Sequence, residues 1–374
     1  MIYLDSAATT LQKPGRVAAA MARAVNTLAS PGRGGHPAAQ RAAQTAFQCR
    51  EEAAKLFELS DPEQVVFTSS ATHALNIAIK SVVKPGDTVL VSGYEHNAVT
   101  RPLHAMEGVT VKTACAPLFE TEEMVRQFRQ MITPEVSAVV CTHVSNVFGY
   151  VLPIDEIAAL CKENRVPLIV DASQSAGCLP VTPCKWDAAF VAMPGHKGLY
   201  GPQGTGLLLC RATTQVLMEG GTGSASILQA MPDFLPDRLE AGTHNMPGIA
   251  GLLEGLRFVR RQGVERIGAQ ERGMIRRMAW GLERIPGVRV FAGTLDDDCQ
   301  SGVLSFLVDG LDCEQVGEQL ALQGFAVRCG LHCAPLAHRT AGTLDSGTVR
   351  ASLSAFNKPG EVDHFVRAIA RIAI

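Results

Sequence analysis

The sequence lacks any apolar run that approaches the roughly 20 consecutive residues needed to cross a bilayer. It also lacks a charge bias, because 34 basic residues face 36 acidic residues and the net charge is -2. This balance gives no reason to expect a nucleic acid or a membrane as partner. The N-terminus shows no charged-then-apolar signal pattern, so we expect a cytoplasmic protein.

No C-x-x-C pair occurs among the 11 cysteines, whose odd number and scattered spacing argue against a disulfide framework. The residues Cys329, His332 and Cys333 are too few to complete a tetrahedral metal site, so no metal is predicted. Nucleotide loops are missing as well. The glycine-rich stretch around Lys197 does not end in Gly-Lys-Ser/Thr, and the fingerprint G-x-G-x-x-G is absent.

Short apolar runs do alternate with amphipathic stretches in the first part of the chain. Helical patterns occupy 71–82 and 153–164, the second with Pro153 at a plausible first-turn position. The apolar runs alternate little, as in strands buried on both faces, and the whole pattern predicts a parallel α/β sheet. The predicted strands are 64–68, 87–92, 136–144, 167–173, 188–193 and 206–210.

The pattern changes after about residue 245. Residues 248–284 predict two helices separated at Gly263. Two strands with flanking helices then predict a smaller α+β unit. Its apolar runs are 302–309, 325–330 and 347–354, and its helices are 314–323 and a last one from about 360.

Lys197 follows an apolar run and lies among glycines, in GHKGLYGPQGTG. A surface lysine in a glycine loop is one interpretation. The other is a nucleophilic lysine that forms an imine with pyridoxal phosphate. That cofactor needs a carboxylate at its ring nitrogen, and Asp171 ends a predicted buried strand. Its phosphate needs an anion site, for which the predicted helix start at Thr72 is suitable, although this residue, taken alone, is more simply an ordinary N-cap.

An ordered set of motifs resembles the class V aminotransferase superfamily of fold type I pyridoxal phosphate enzymes, and in particular its cysteine desulfurase branch. The motifs cover nearly the whole chain. They are YLDSAATT (3–10), GRGGH (32–36), SSATHALN (69–76), EHNAV (95–99), THVSNVFG (142–149), VDASQSAG (170–177), GHKGLYGPQGTG (195–206), EAGTHN (240–245), RCGLHCAP (328–335) and VRASLSAFN (349–357).

The resemblance implies a fold and a division into domains. We expect a large cofactor-binding domain over 16–247, built on a mostly parallel seven-stranded sheet. Residues 1–15 and 248–374 are expected to form the smaller α+β domain.

The resemblance also implies how the cofactor ring is bound. Lys197 would form the imine and shuttle protons, and Asp171 would pair with the ring nitrogen. Gln174 would hydrogen-bond the phenolic oxygen. His96 would stack on the ring and assist proton transfer, although a histidine of this kind, taken alone, is more simply a hydrogen-bonded core residue.

For the phosphate, the resemblance implies a site formed by Ala71, Thr72 and His196. Thr243 would reach the phosphate held by a neighbouring subunit, which implies a homodimer. One position departs from the family pattern: Pro194 stands where a serine or threonine usually donates a hydroxyl, so we expect one hydrogen bond fewer.

For the substrate, the resemblance implies that Arg350 grips a carboxylate and that Asn146 contacts both substrate and cofactor. Arg33 and His36 would lie at the mouth of the site on the dimer side. Cys333 matches the desulfurase cysteine that takes the sulfur, and it lies seventeen positions before Arg350, the compact spacing of group II desulfurases.

The predicted function is therefore a desulfurase that converts L-cysteine to L-alanine and leaves a persulfide on Cys333 for an acceptor protein. Alternatives are a selenocysteine lyase, another class V aminotransferase or lyase, and a non-catalytic scaffold of this fold. Cys333 is also open to interpretation as a small buried apolar residue, as most cysteines are. We expect Cys329 to be structural and His332 to be a candidate for lowering the pKa of the neighbouring thiol.

Overall fold

The computed structural model describes residues 1–32, 34–294 and 299–373. Its strands are β1 (Ile2–Tyr3), β2 (Val65–Thr68), β3 (Thr88–Ser92), β4 (Thr110–Ala114), β5 (Val136–Thr142), β6 (Leu168–Asp171), β7 (Phe190–Pro194), β8 (Gly206–Cys210), β9 (Val288–Phe291), β10 (Val303–Val308), β11 (Phe325–Ala326), β12 (Arg328–Gly330) and β13 (Thr348–Ser352). Its helices are α1 (Gly15–Thr27), α2 (Pro37–Leu56), α3 (Ala71–Val82), α4 (Asn97–His104), α5 (Thr121–Met131), α6 (Ile154–Glu163), α7 (Met246–Gln262), α8 (Val264–Leu282), α9 (Cys313–Leu322), α10 (Pro335–Ala341) and α11 (Pro359–Ile372).

A seven-stranded sheet in the order β2-β8-β7-β6-β5-β3-β4 forms the centre of the larger part. Strand β8 is antiparallel to both of its neighbours, and the other pairings are parallel. Successive strand residues enter opposite core layers: Leu90 and Val139 pack in one layer, whereas Val89 and Val140 pack in the other. Because both faces are buried, these strands carry continuous apolar runs.

The smaller part is built on a four-stranded antiparallel sheet in the order β12-β13-β10-β9. Helices α8, α9 and α11 cover it, and Phe306 and Phe365 meet edge to face in its core. The N-terminus joins this part, because β1 pairs with β11 and Leu4 lies in the same core. We propose the division at residue 247, a position that α7 crosses while it packs against α1 and α2.

Several local predictions need correction. The smaller sheet has four strands rather than two, and residues 325–330 form the two short strands β11 and β12. Strands β4 and β9 were not predicted; both are edge strands with partly exposed side chains, so they lack the continuous apolar run of a buried strand. Pro153 is the N-cap residue of α6 and therefore precedes the first turn in which it was predicted. No helix of the described residues is long and apolar enough to cross a bilayer.

Candidate active site

A cavity of about 390 Å³ opens between the two sheets, at the carboxyl ends of β5, β6 and β7. Ligands bind at this edge of parallel α/β sheets, because strand ends and helix N-termini converge there. Ten residues singled out from the sequence line this cavity together: Ala71, Thr72, His96, Asn146, Asp171, Gln174, His196, Lys197, Cys333 and Arg350.

Three other predicted residues are not among those lining residues. Arg33 lies outside the described residues. His36 is exposed at the start of α2, where its Nδ1 accepts a hydrogen bond from the N–H of Ala39 at 3.4 Å. Thr243 lines a separate cavity of about 270 Å³.

Lys197 follows the end of β7 through a tight glycine turn. At Gly198 an added Cβ would collide with the carbonyl oxygen of Ala176, so the two segments approach closely only without a side chain there. Burial of the amine lowers the pKa of Lys197 to about 8, although the carboxylate of Asp171 acts in the opposite direction. The amine is therefore neutral, and nucleophilic, in a larger fraction of molecules than an exposed lysine.

Asp171 is buried at the carboxyl end of β6, which pairs in parallel with β7. Its Oδ1 accepts hydrogen bonds from the N–H of Ser173 at 2.9 Å and from the hydroxyl of Ser173 at 2.5 Å. Neither bond uses Oδ2. A buried carboxylate requires a charged or hydrogen-bonding partner, and this arrangement suits a cationic group in the cavity.

His96 and Gln174 are each fixed by the backbone. His96 caps α4, and its Nδ1 accepts a hydrogen bond from the N–H of Ala98 at 3.0 Å. Burial lowers the pKa of His96, which favours the neutral ring. Because Nδ1 accepts a hydrogen bond, the proton of that neutral ring is on Nε2. The amide of Gln174 donates to the carbonyl of Ala7 at 3.0 Å.

An anion site is formed where β2 leads into α3. Ser70 caps this helix by accepting a hydrogen bond from the N–H of His73 at 3.2 Å. The N–H groups of Ala71 and Thr72 have no acceptor within the helix, as at every helix start, and they line the cavity. Pro194 lines the cavity as well and supplies neither a hydroxyl nor an N–H.

His196 borders the same region. Burial, with Lys197 and Lys13 nearby, lowers the pKa of His196 to about 4, so its ring is neutral. Its Nδ1 is buried and has no hydrogen-bond partner among the described residues. The amine of Lys13, which the sequence analysis did not single out, donates to the carbonyl of His196 at 2.9 Å.

Arg350 lies on β13 and is only 2% exposed. One of its terminal nitrogens donates to the carbonyl of Asn146 at 2.8 Å, and the other donates to Asp5 at 3.0 Å. Its Nε is buried without a partner among the described residues. The same Asp5 carboxylate accepts from Arg328 at 3.0 and 3.1 Å. The sequence analysis gave no role to Asp5 or Arg328, since their pairing joins the N-terminus to strands more than 300 residues away.

Cys333 is exposed on the short segment between β12 and α10. Its φ is 56° and that of His332 is 50°, a left-handed conformation that is unfavourable for residues other than glycine. Two bonds hold this segment over the cavity. The N–H of Asn97 donates to the carbonyl of Cys333, and the amide of Asn146 donates to the carbonyl of His332, each at 2.8 Å.

The hydrogen-bonding partner of the His332 ring is Thr348. His332 is buried, and its Nε2 lies 3.2 Å from both the carbonyl and the hydroxyl of Thr348. Burial and the charge of Arg350 lower the pKa of His332 to about 2, so its ring brings no positive charge to the sulfur. Cys329 is half-buried in β12, and burial raises the pKa of its thiol to about 12, in agreement with a structural role.

The segment that contains Thr243 is attached to the larger part by a buried ion pair. Glu240 accepts hydrogen bonds from both terminal nitrogens of Arg50, at 2.8 and 2.6 Å, and lies 2.6 Å from Nε2 of His244. The N–H of Phe67 donates to the same carboxylate at 2.6 Å. These contacts hold residues 240–245 against α2 and β2.

The sequence and the fold of this chain are similar to those of known proteins. A family model described as aminotransferase class V matches residues 2–365. A probable cysteine desulfurase of Mycolicibacterium paratuberculosis is 33% identical over all of this chain, which spans only 55% of that relative's length. A probable cysteine desulfurase of Xylella fastidiosa is 30% identical, with 100% of this chain and 91% of the relative covered. The solved structure of a cysteine desulfurase from Thermococcus onnurineus has a TM-score of 0.90 at 29% identity and covers 100% of this chain and 94% of its own.

Proposed function

The chain belongs to the aminotransferase class V family, and from this membership we propose that it is a cysteine desulfurase. It converts L-cysteine to L-alanine and keeps the sulfur as a persulfide on Cys333. The observation that carries the proposal is that Lys197, Arg350 and Cys333 line one cavity. Together they provide a nucleophilic amine, a cation for a carboxylate and an exposed thiol.

The residues of the cavity fit pyridoxal phosphate, the cofactor of this family. The unpartnered Nδ1 of His196 and the free N–H groups at Ala71 and Thr72 suit its phosphate. The buried carboxylate of Asp171 suits its protonated ring nitrogen. The bound cofactor supplies an electron-accepting ring. Lys197 would bind its aldehyde, and His96, Gln174 and Asn146, which line the same cavity, would hold its ring.

Arg350 and its neighbours orient the substrate. A planar guanidinium holds a carboxylate in one orientation, which aligns the substrate's α-proton and sulfur for reaction. The buried Nε of Arg350 lacks a partner among the described residues, so this cation has a donor to offer. Asn146 accepts from Arg350 through its carbonyl and donates from its amide to the cysteine segment, and thus links the two.

Cys333 receives the sulfur. Its thiolate attacks the sulfur of the substrate, a sulfur–sulfur bond forms, and the carbon–sulfur bond breaks. The carbon keeps the electron pair and takes up a proton, which yields alanine and a persulfide. Lys197 and His96 line the same cavity and are the groups available to move protons.

The persulfide must then leave the protein. Because Cys333 is exposed, we propose that a sulfur-acceptor protein collects it directly. We further propose a homodimer in which Thr243 reaches the partner's phosphate, since this residue lies outside the 390 Å³ cavity of its own chain. We also propose a cytoplasmic location, since the 11 cysteines of the sequence are odd in number and scattered in spacing, which is not the pattern of a disulfide framework.

The test compares wild type with Cys333→Ala and assays alanine and sulfide formed from L-cysteine. We expect Cys333→Ala to lose on the order of 100-fold or more of both products, because the attacking sulfur is gone. The variant should keep the visible absorbance of the cofactor. Cys329→Ala, a cysteine four positions away on β12, is the matched control and should retain activity.

A Cys333→Ala variant as active as wild type would contradict the proposal. Activity retained on other amino acids would instead indicate an aminotransferase or lyase. Assays with L-selenocysteine in parallel decide between sulfur and selenium as the natural leaving atom.

A further inference from the structure

A second and much smaller cavity, of about 30 Å³, adjoins Lys197 between the two sheets. Residues from both parts of the chain line it, among them Ser6, Tyr200, Glu271 and Ser301. None of these four residues borders the 390 Å³ cavity, whereas Lys197 lines both. The small cavity therefore gives Lys197 a second polar environment that the proposed reaction does not use.

Two hydroxyl groups of this cavity have no partner. The Oγ atoms of Ser6 and Ser301 are buried and make no hydrogen bond to any of the residues described, and both residues are at least 95% buried. Buried hydroxyls in proteins are nearly always hydrogen-bonded, to the protein or to ordered water. A water molecule needs roughly 10–15 Å³ of such space and two to four polar partners. This cavity provides both.

Glu271 on α8 brings a carboxyl group to the same place. It is 6% exposed, and the hydroxyl of Tyr200, a residue that lines the same cavity, favours its charged form. Its Oε2 lies against Gly302, where an added Cβ would be 2.7 Å away. A side chain at position 302 would therefore displace this carboxylate oxygen. The other titratable groups that face it are the buried thiol of Cys178 and the guanidinium of Arg272.

We propose that this cavity is a water-binding site through which Glu271 exchanges a proton with the amine of Lys197. The Lys197 ammonium gives a proton to the water, and the water passes one of its own protons to the Glu271 carboxylate. The products are a neutral amine, a neutral acid and an unchanged water. The reverse transfer returns the proton to the amine.

The exchange removes two buried charges, which offsets the loss of their mutual attraction. Burial raises the pKa of Glu271 to about 8 and lowers that of Lys197 to about 8, so the proton is nearly balanced between them. The inference rests on the proposed role of Lys197. It adds a group that can store a proton in the small cavity, apart from the 390 Å³ cavity.

The test uses the holoprotein and two readouts other than turnover. A high-resolution crystal structure should show an ordered water bonded to Ser6, Ser301 and Glu271. The visible absorbance of the bound cofactor is also titrated with pH. The midpoint of this titration reports how strongly the nitrogen of Lys197 holds its proton.

Glu271→Gln keeps the size of the side chain and removes the titrating group. We expect this variant to titrate with a lower midpoint than wild type, because the nearby negative charge no longer stabilises the protonated nitrogen. Glu254→Gln, which alters a half-buried carboxylate on α7 outside both cavities, is the matched control and should keep the wild-type midpoint.

Ser301→Ala is the second variant, for the case in which Glu271→Gln does not fold. It should lose the water from the crystal structure and shift the titration in the same direction. A dry cavity, or a titration that neither variant alters, would overturn the proposal. If the wild-type protein showed no cofactor absorbance at all, the proposed function would fail with it, so the two failures are distinguishable.

Discussion

At the scale of single residues, Asp5 partly neutralises the charge that Arg350 presents to a substrate carboxylate. Its carboxylate already accepts hydrogen bonds from both Arg350 and Arg328, at distances near 3 Å. A substrate carboxylate must therefore approach two cations whose charge is partly neutralised. In the free protein, Asp5 acts as an internal competitor for the same guanidinium groups.

Replacing Asp5 by Asn should strengthen the binding of carboxylate ligands. The variant keeps the size and one carbonyl oxygen but removes the competing charge, so the attraction of Arg350 and Arg328 for an anion increases. We expect the dissociation constant of a non-reactive carboxylate analogue of cysteine to fall on the order of tenfold, about 1.4 kcal/mol. Isothermal titration calorimetry measures it.

The control for this variant is Asp363→Asn, which removes the carboxylate of the exposed ion pair between α8 and α11 and should leave the affinity unchanged. If Asp5→Asn bound the analogue more weakly than wild type, Asp5 would instead be needed to hold Arg350 in place.

At the scale of structural elements, the segment 240–245 depends on Glu240. This carboxylate is buried among Arg50, His244 and the N–H of Phe67, and those partners lower its pKa in spite of burial. Glu240→Gln leaves Arg50 buried without its counterion. We expect the free energy of unfolding to fall by about 3–5 kcal/mol, as when one partner of a buried ion pair is removed. Urea titration at neutral pH measures the loss.

The stability that Glu240 contributes should depend on pH in a definite direction. Because the pKa of Glu240 is lowered in the folded state, its contribution is complete above the ordinary glutamate pKa of about 4.3. The contribution is lost as the pH falls through the lower folded value. The difference between wild type and Glu240→Gln should therefore shrink in acid. Glu135→Gln, at the exposed pair with Lys112, should cost less than about 1 kcal/mol, and an equal loss in both variants would contradict the argument.

Elements buried on both sides were predictable from the sequence, and edge elements were not. Runs such as 136–144 and 206–210 coincide with β5 and β8 because both faces of the large sheet are covered. Strand β4 at the edge has exposed side chains at its start and a lysine within it, so no apolar run marks it. The same holds for β9, which reads VRVF.

The residues of the candidate site were predictable where they belong to a recognisable sequence motif. Ten residues predicted from motifs line one cavity. The partners of those residues were not predictable, because no local pattern records that Asp5 meets Arg350 or that Glu271 borders the cavity behind Lys197. The neutral state of His332 also depends on burial and on Arg350, which only the folded chain brings together.

At the scale of the whole molecule, several large apolar side chains are exposed in the segment 218–234, which precedes Thr243 in the sequence. Ile227 is 91% exposed, and Met218, Leu228 and Phe234 are exposed nearby in the sequence. Exposed apolar groups in one region are typical of protein interfaces. The cavity that Thr243 lines also includes Met218. We therefore propose that the interface of the proposed homodimer includes this region.

A charge on this region should separate the subunits and weaken the hold on the cofactor. Ile227→Lys places a cation where the partner would pack, so we expect light scattering to show half the wild-type mass at micromolar concentration. Because Thr243 would no longer reach the partner's phosphate, cofactor absorbance should fall faster during dialysis. Leu322→Lys, at an equally exposed residue on α9, should change neither property. If Ile227→Lys kept the wild-type mass, the interface would lie elsewhere. If the mass halved with full cofactor retention, the subunits would pair here without sharing the phosphate.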